Sequence, residues 1–191
     1  MSNYFSYFPT INHDLKDNNI KTTLTNVMRR FKVQSKTKTT VGVYYDYIMQ
    51  EGDRPDTIAE KYYGNENLAW LVLHYNDILD PYYDLPLYGH DFTKFIKEKY
   101  GSVSIANATV KYYYKILEEE KITITGAKLP RREIRVDLKT YNSLSGTPNL
   151  RRSQSVYEYE EELNNDRKKI KLLDRKYVNQ VIKELQTVLG E

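Results

Sequence analysis

The stretch from Val43 to Gly89, VYYDYIMQEGDRPDTIAEKYYGNENLAWLVLHYNDILDPYYDLPLYG, sets the frame into which the rest of this chain must fit. It opens on an aromatic strand candidate, Val43 to Met49. A turn follows at Glu51-Gly52-Asp53, and Pro55 stands where a helix can start, because the first helical turn has backbone donors to spare. Asp56 lies in that turn, where the helix dipole favours a negative charge. Ile58, Ala59 and Tyr62 share one face, and Gly64 supplies a left-handed stop. Asn65 is placed to cap a second helix. In it Leu68, Leu71, Val72 and Tyr75 recur at helical spacing, with Trp70 and Leu73 beside them. That helix ends at Asn76-Asp77, ahead of Asp80-Pro81. The expected order is strand, helix, helix, then a return segment through Leu85 and Leu87.

The chain around this stretch is rich in tyrosine, with 19 Tyr against 5 Phe and 1 Trp. Tyr buries a large ring and keeps a polar handle, so it is favoured at protein interfaces. Tyr44, Tyr45 and Tyr47 in one run, and Tyr112, Tyr113 and Tyr114 in another, put rings on both faces of a strand. Such strands call for burial on two sides. Tyr4, Phe5, Tyr7 and Phe8 crowd the first eight residues. A bare terminus frays, whereas one with this many aromatics is built to dock, on this chain or another. Tyr82 and Tyr83 complete the candidate docking aromatics.

Charge and chemistry narrow the function classes. The net charge is +3, from 29 basic and 26 acidic residues, without the basic stripe of a nucleic-acid binder. No apolar run is long enough to span a membrane. The first residues lack the basic head and apolar segment of a secretory signal. There is no cysteine, which removes disulfides, thiol nucleophiles and thiolate metal sites, and suits a reducing cytoplasm. His13, His74 and His90 have no metal-ligand spacing. Glu118 to Glu120 and Glu160 to Glu162 are charge runs on a turn and a helix; neighbouring carboxylates on a helix diverge and do not form the facing pair that glycoside hydrolysis needs. No nucleophile elbow, P-loop or dinucleotide fingerprint is present. The expectation is a non-enzyme with no catalytic residue, no metal and no cofactor.

In chain order, residues 1–40 read as an N-terminal arm and linker. Leu24, Val27, Met28 and Phe31 fit a short helix or an extended segment, and residues 34–40 read as a polar linker. Residues 41–101 hold the core and a following helix, with Asp91 as its cap, Phe92, Phe95, Ile96 and Tyr100 apolar, and Gly101 as its end. Residues 102–152 form a β-hairpin region and loop: a small-residue connector over 102–109, a strand from Val110, a turn tip at Glu118 to Glu120, a return over residues 121–125, and a third strand from Glu133 to Leu138. Residues 139–152 read as loop. Residues 153–191 form a helix-strand-helix segment. Ser155 and Glu158 make a capping box, with Val156, Tyr159 and Leu163 inward. Asp174 caps a last helix with an apolar stripe of Val178, Val181, Ile182, Leu185, Val188 and Leu189. The fold class is α+β.

Tyr47, Gly52-Asp53, Ile58-Ala59, Tyr62-Tyr63-Gly64 and Asn76 together resemble the LysM module, a βααβ fold that binds amino-sugar chains. Arg54-Pro55 and Trp70 depart from that pattern. With the stretch YYGNENLAWLVLHYNDILDPYY and the C-terminal run YEYEEELNNDRKKIKLLDRKYVNQVIKELQTVL, the chain resembles the baseplate wedge subunits of contractile-tailed, T-even-like bacteriophages, built on a LysM-like core. The resemblance implies a structural virion protein of the tail baseplate, assembled in the host cytoplasm. Its implied partners are other wedge proteins and neighbouring wedges in a six-fold ring around a hub, with neither nucleic acid nor membrane. The alternative is a LysM-type module binding peptidoglycan or chitin between residues 52–55 and 76–81, with Pro55 and Tyr82 stacking on sugar.

Overall fold

A computed structural model describes residues 4–14, 19–29, 42–124 and 126–190. The linker expected at residues 34–40, and Phe31, lie outside them. Along the chain, a 3-10 turn at Tyr4–Tyr7 leads to β1 (Thr10–His13), β2 (Thr22–Thr25) and β3 (Tyr44–Ile48). Then come α1 (Pro55–Tyr63), a 3-10 turn at Glu66–Leu68, α2 (Ala69–Tyr75) and the one-turn α3 (Pro81–Asp84). Next are α4 (Gly89–Tyr100), α5 (Val103–Ala108), β4 (Val110–Glu118), β5 (Lys121–Ile122), β6 (Lys128–Leu129) and β7 (Arg132–Val136). The chain ends with α6 (Leu138–Ser143), a 3-10 turn at Pro148–Leu150, β8 (Arg151–Ser155), α7 (Val156–Arg167), β9 (Lys169–Leu173) and α8 (Arg175–Gly190). The class is α+β. The described chain divides into two compact units: Met1–Pro86 with Arg167–Glu191, and Leu87–Asp166.

Unit 1 is built on the organising stretch. Gly52 takes the turn at φ +86° and Gly64 ends α1 at φ +70°, both conformations that a Cβ disfavours. Pro55 opens α1, and the Thr57 hydroxyl accepts the Arg54 N–H at 2.9 Å. Asn65 accepts the N–H of Asn67 at 3.0 Å ahead of α2. Ile58, Ala59, Leu68, Leu71, Val72 and Tyr75 are buried where the periodicity puts them; Tyr62 is half-buried, and Trp70, set beside that spacing, is buried as well.

The return segment is different. Leu85 and Leu87 lie outside any strand. The partner of β3 is β9, antiparallel, with Tyr44 opposite Leu173 and Ile48 opposite Lys169. Ile170, Leu172 and Leu173 of β9, with Val178, Leu185 and Leu189 of α8, complete one core with Phe8 and Met49. A Leu-Pro-Leu run cannot supply a full ladder of donors, whereas KIKLL is free of Pro and alternates. Residues 22–25 take the extended option as β2, paired to β1.

Unit 2 corrects several expectations. Residues 103–108 are a helix capped by Ser102, whose hydroxyl accepts the Ile105 N–H at 3.1 Å. β4 does not fold back on residues 121–124, the described part of the return expected over residues 121–125. It is the central strand of the order β7-β4-β8, and Lys121–Ile122 pairs with Lys128–Leu129 in a small separate ribbon. The loop expected over 139–152 holds α6 and the start of β8; Asp137 caps α6 by accepting the Lys139 N–H. The Ser155–Glu158 capping box forms reciprocally at 2.9 and 3.1 Å. On α7 it is Val156, Glu160 and Asn164 that are buried, while Leu163 is exposed. The apolar core is small: Phe92, Ile96, Ala106 and Val156.

Candidate functional site

The N-terminal aromatics dock at home. Tyr4 stacks on Trp70 at 5.5 Å, its hydroxyl meets His74 Nε2 at 3.0 Å, and Tyr7 meets Trp70 edge-on. Phe8 is buried, and burial raises the Tyr4 pKa. Phe5 alone stays open.

The polar residues of the motif are used inside the fold. Asp53 accepts the Tyr47 hydroxyl at 2.7 Å, the Gln50 N–H at 2.8 Å and Lys61 Nζ at 3.0 Å, and its side chain is 3% exposed. Burial alone would push this carboxyl up, but those three donors outweigh it and hold it below its ordinary value. Asn76 donates to the carbonyls of Val72 and Lys171, both at 2.8 Å, and accepts the Lys171 N–H at 2.7 Å. It therefore acts as a strand partner for β9. Tyr63, pushed far up by burial, donates to the Leu173 carbonyl at 3.0 Å. Tyr44 carries Lys171 over its ring at 4.1 Å, and Tyr62 carries Arg175 at 5.0 Å.

Among the large apolar side chains that unit 1 leaves exposed, Ile20 and Met28 included, three sit together on the loop after α2. Leu79 and Tyr82 are each 87% exposed and Tyr83 is 70% exposed. The backbone beneath them is braced. Asp84 accepts the N–H groups of Leu79 and Asp80, both at 3.0 Å, and these two bonds lower its pKa. Asp80 accepts the Tyr82 N–H at 2.9 Å as the cap of α3. The Ile78 N–H bonds back to the Leu73 carbonyl at 3.0 Å. Three large apolar side chains on a preformed backbone lose little entropy on binding, and tyrosine is a common energetic anchor at interfaces. Sequence reading singled out Tyr82 and Tyr83 but missed Leu79 and the bracing role of Asp80 and Asp84. The DPYYD spacing, with an Asp at the cap and another at the end of one turn, was the available signal. Tyr45, half exposed on β3, lies edge-on to Tyr62 at 6.0 Å.

In unit 2, Tyr112, Tyr113 and Tyr114 sit on the central strand and are half-buried. Arg135 lies 3.6 Å over Tyr112, Tyr113 meets Tyr141 at 4.7 Å, and the Tyr114 hydroxyl bonds buried Gln154 at 3.0 Å. Buried Glu160 accepts from Lys99 Nζ at 2.9 Å and from the Tyr100 hydroxyl. Asn164 accepts the Leu87 N–H at 2.7 Å and donates to the Leu87 carbonyl at 2.8 Å.

Among the described residues no group of three or more His, Asp or Glu is placed to hold a metal ion. Nor, among these residues, is any helix long and apolar enough to cross a membrane. The model of a protein family described as base plate wedge protein 53 matches residues 3–188. No curated protein matches the chain.

Proposed function

The chain belongs to the base plate wedge protein 53 family, and from that premise we propose that unit 1 docks it onto other wedge proteins through the loop bearing Leu79, Tyr82 and Tyr83. Membership makes it a structural protein of the phage tail baseplate that interacts with other baseplate proteins. The finer reading is a subunit that helps join neighbouring wedges around the hub in a six-fold ring. It is assembled in the host cytoplasm, binds no nucleic acid or membrane, and does mechanical rather than catalytic work. In this reading β3, α1, α2 and β9 form a LysM-like βααβ core whose last strand arrives from far down the chain. That core serves as a protein-docking module.

One observation carries the proposal: the loop exposes its large apolar groups while its backbone donors are satisfied internally. Hydrogen bonds spent on holding Leu79, Tyr82 and Tyr83 outward make sense when a partner covers them. The glycan reading draws support only from exposed Tyr82, since Asp53 and Asn76 turn their polar atoms inward.

The test is co-expression with wedge proteins and co-purification of the complex. Tyr82→Ala with Tyr83→Ala is expected to cut recovery of the complex at least about tenfold, as loss of two interface anchors does. The thermal midpoint should stay within about 2 °C, since both rings are exposed. Wild-type recovery by the double variant would remove the loop from the interface. Titration with chitin or peptidoglycan fragments is expected to give no saturable binding; saturable binding abolished by Tyr82→Ala would favour the glycan module.

A further inference from the structure

Unit 2 carries a second exposed apolar feature, far from Leu79, Tyr82 and Tyr83 in sequence and of a different shape. β5 and β6 pair over two residues each, Lys121 opposite Leu129 and Ile122 opposite Lys128. Residues opposite one another in a ribbon share a face. Ile122 therefore projects from one face and Leu129 from the other, and both are exposed, as is Ile124 just beyond the paired residues. The end of the ribbon is held in shape. The Thr123 N–H donates to the Ala127 carbonyl at 2.8 Å, the Ala127 N–H donates to the Thr123 hydroxyl at 2.9 Å, and the Gly126 N–H donates to the Thr123 carbonyl at 2.9 Å. An isolated two-stranded ribbon is marginal in water, and this one exposes aliphatic groups to water on both sides.

The collar below the tip is electrically closed. Lys128 pairs with Glu120 at 2.7 Å, Arg132 with Glu118 at 3.3 Å, and Arg131 with Glu119 at 3.6 Å and Glu133 at 3.8 Å. Glu118, Glu119, Glu120 and Glu133 face Lys121, Lys128, Arg131 and Arg132, and Glu133 also holds Arg152 at 2.7 Å. An anionic lipid surface rewards basic groups left open to it, whereas Lys128, Arg131, Arg132 and Arg152 are each tied to a carboxylate. A flat protein surface would cover one face of the ribbon and leave the other wet. Two apolar faces above an ion-paired collar fit a cleft with two apolar walls.

We propose that the ribbon of β5 and β6 is a finger that inserts Ile122, Ile124 and Leu129 into an apolar cleft of a second baseplate protein. The partner's class rests on the baseplate reading; the finger's chemistry does not. The experiment places a benzophenone photo-crosslinker at position 124, and separately at position 82, in the full chain within assembled baseplates. Position 124 is expected to link to one other baseplate protein through an apolar peptide, with a yield unchanged between low and 0.5 M salt. Ile122→Asp with Ile124→Asp is expected to lower incorporation into baseplates at least about tenfold, with a thermal midpoint within about 2 °C of wild type.

A link from position 82 but none from position 124 would overturn the finger and leave the baseplate reading standing. Links from neither would sink both. A link from position 124 to another copy of this chain, or sedimentation of the chain with phosphatidylcholine–phosphatidylglycerol vesicles that the double variant loses, would replace the cleft with self-association or lipid. Normal incorporation of the double variant would end the proposal outright.

Discussion

Unit 1 and unit 2 hold themselves together by different kinds of contact. Among the described residues, unit 1 buries one continuous apolar cluster from Phe8 to Leu189, whereas unit 2 buries a cluster of four apolar residues with Ile116 apart from it, and relies on Gln154, Glu160 and Asn164. Cations lie over tyrosine rings across its sheet, as Arg135 does over Tyr112 and Arg152 over Tyr114. Burial of apolar surface is non-directional and tolerates change at the surface. A polar network fixes geometry, and each member left without its partner costs free energy. The unit with the large core therefore tolerates an exposed apolar loop at little cost to its stability, while the unit with the small core specifies its shape by pairing.

The sharpest way to break this comparison is to remove the closing strand. Ile170, Leu172, Leu173, Val178, Leu185 and Leu189 are six of the fifteen buried apolar residues in the unit 1 cluster. Truncation after Lys168 is expected to abolish folding of unit 1 altogether. Trp70 is the chain's single tryptophan and lies in that core, so its fluorescence reports unit 1 alone. The expected outcome is loss of the cooperative Trp70 transition, with the far-UV transition of unit 2 retained. The point variant Leu173→Ala should cost unit 1 about 2–5 kcal/mol through cavity formation. A Trp70 transition that survives truncation would show that β9 and α8 decorate the core rather than complete it.

Two asparagines make the next comparison, because the same device closes each unit. Asn76 binds both the N–H and the carbonyl of Lys171, and Asn164 binds both the N–H and the carbonyl of Leu87. Each side-chain amide stands in for a missing strand partner at a residue distant in sequence. Asn76→Ala and Asn164→Ala should each cost about 1–3 kcal/mol, the range for leaving buried backbone groups unpaired. The first should move the Trp70 transition and the part of the far-UV signal that follows it, and the second only the part of the far-UV signal that Trp70 does not follow. Movement of the Trp70 transition by Asn164→Ala would mean that the units do not melt separately.

These residues also show where the sequence was legible. Much of the structure that follows from neighbours was announced by the residues: Gly52, Pro55, Gly64 and Asn65 bound α1 and the start of α2, and Ser155 with Glu158 opens α7, although the short helices capped by Ser102 and Asp137 read as connector and loop. Pairing at long range was not announced. KIKLL could be read as a strand, but nothing local says that it pairs with YYDYI rather than with a segment nearer by. Likewise β4 passes over the closer 121–125 run to pair with β7 and β8, because two flanking strands satisfy both of its edges. Glu160 was misread, and Asn164 passed over, for a related reason. A charged or amide side chain on a helix reads as solvent-facing until the partners that satisfy it, Lys99, Tyr100 and Leu87, are known. Of the loop after α2, the rings were visible in DPYYD; the internal use of Asp80 and Asp84 was not.

The smallest expected effect separates the units by pH. Asp53 has a folded pKa below its ordinary value, because the Gln50 N–H, the Tyr47 hydroxyl and Lys61 favour the carboxylate over the cost of burying it. A group whose pKa is lowered by folding stabilises the fold above its unfolded pKa, and that contribution is lost as pH falls through the folded value. Lys61 is mostly exposed, so water screens its share. The two shielded hydrogen bonds carry most of the effect, about 1 kcal/mol. The Trp70 transition should therefore weaken as pH drops below the ordinary carboxylate range. Asp53→Asn should start lower at neutral pH and flatten that dependence, since an amide at this position keeps its form through the titration. The far-UV transition of unit 2 should respond to acid identically in both proteins. If Asp53→Asn left the acid response of Trp70 unchanged, the turn at Gly52-Asp53 would be held by its backbone alone and the carboxylate would contribute nothing to closing unit 1.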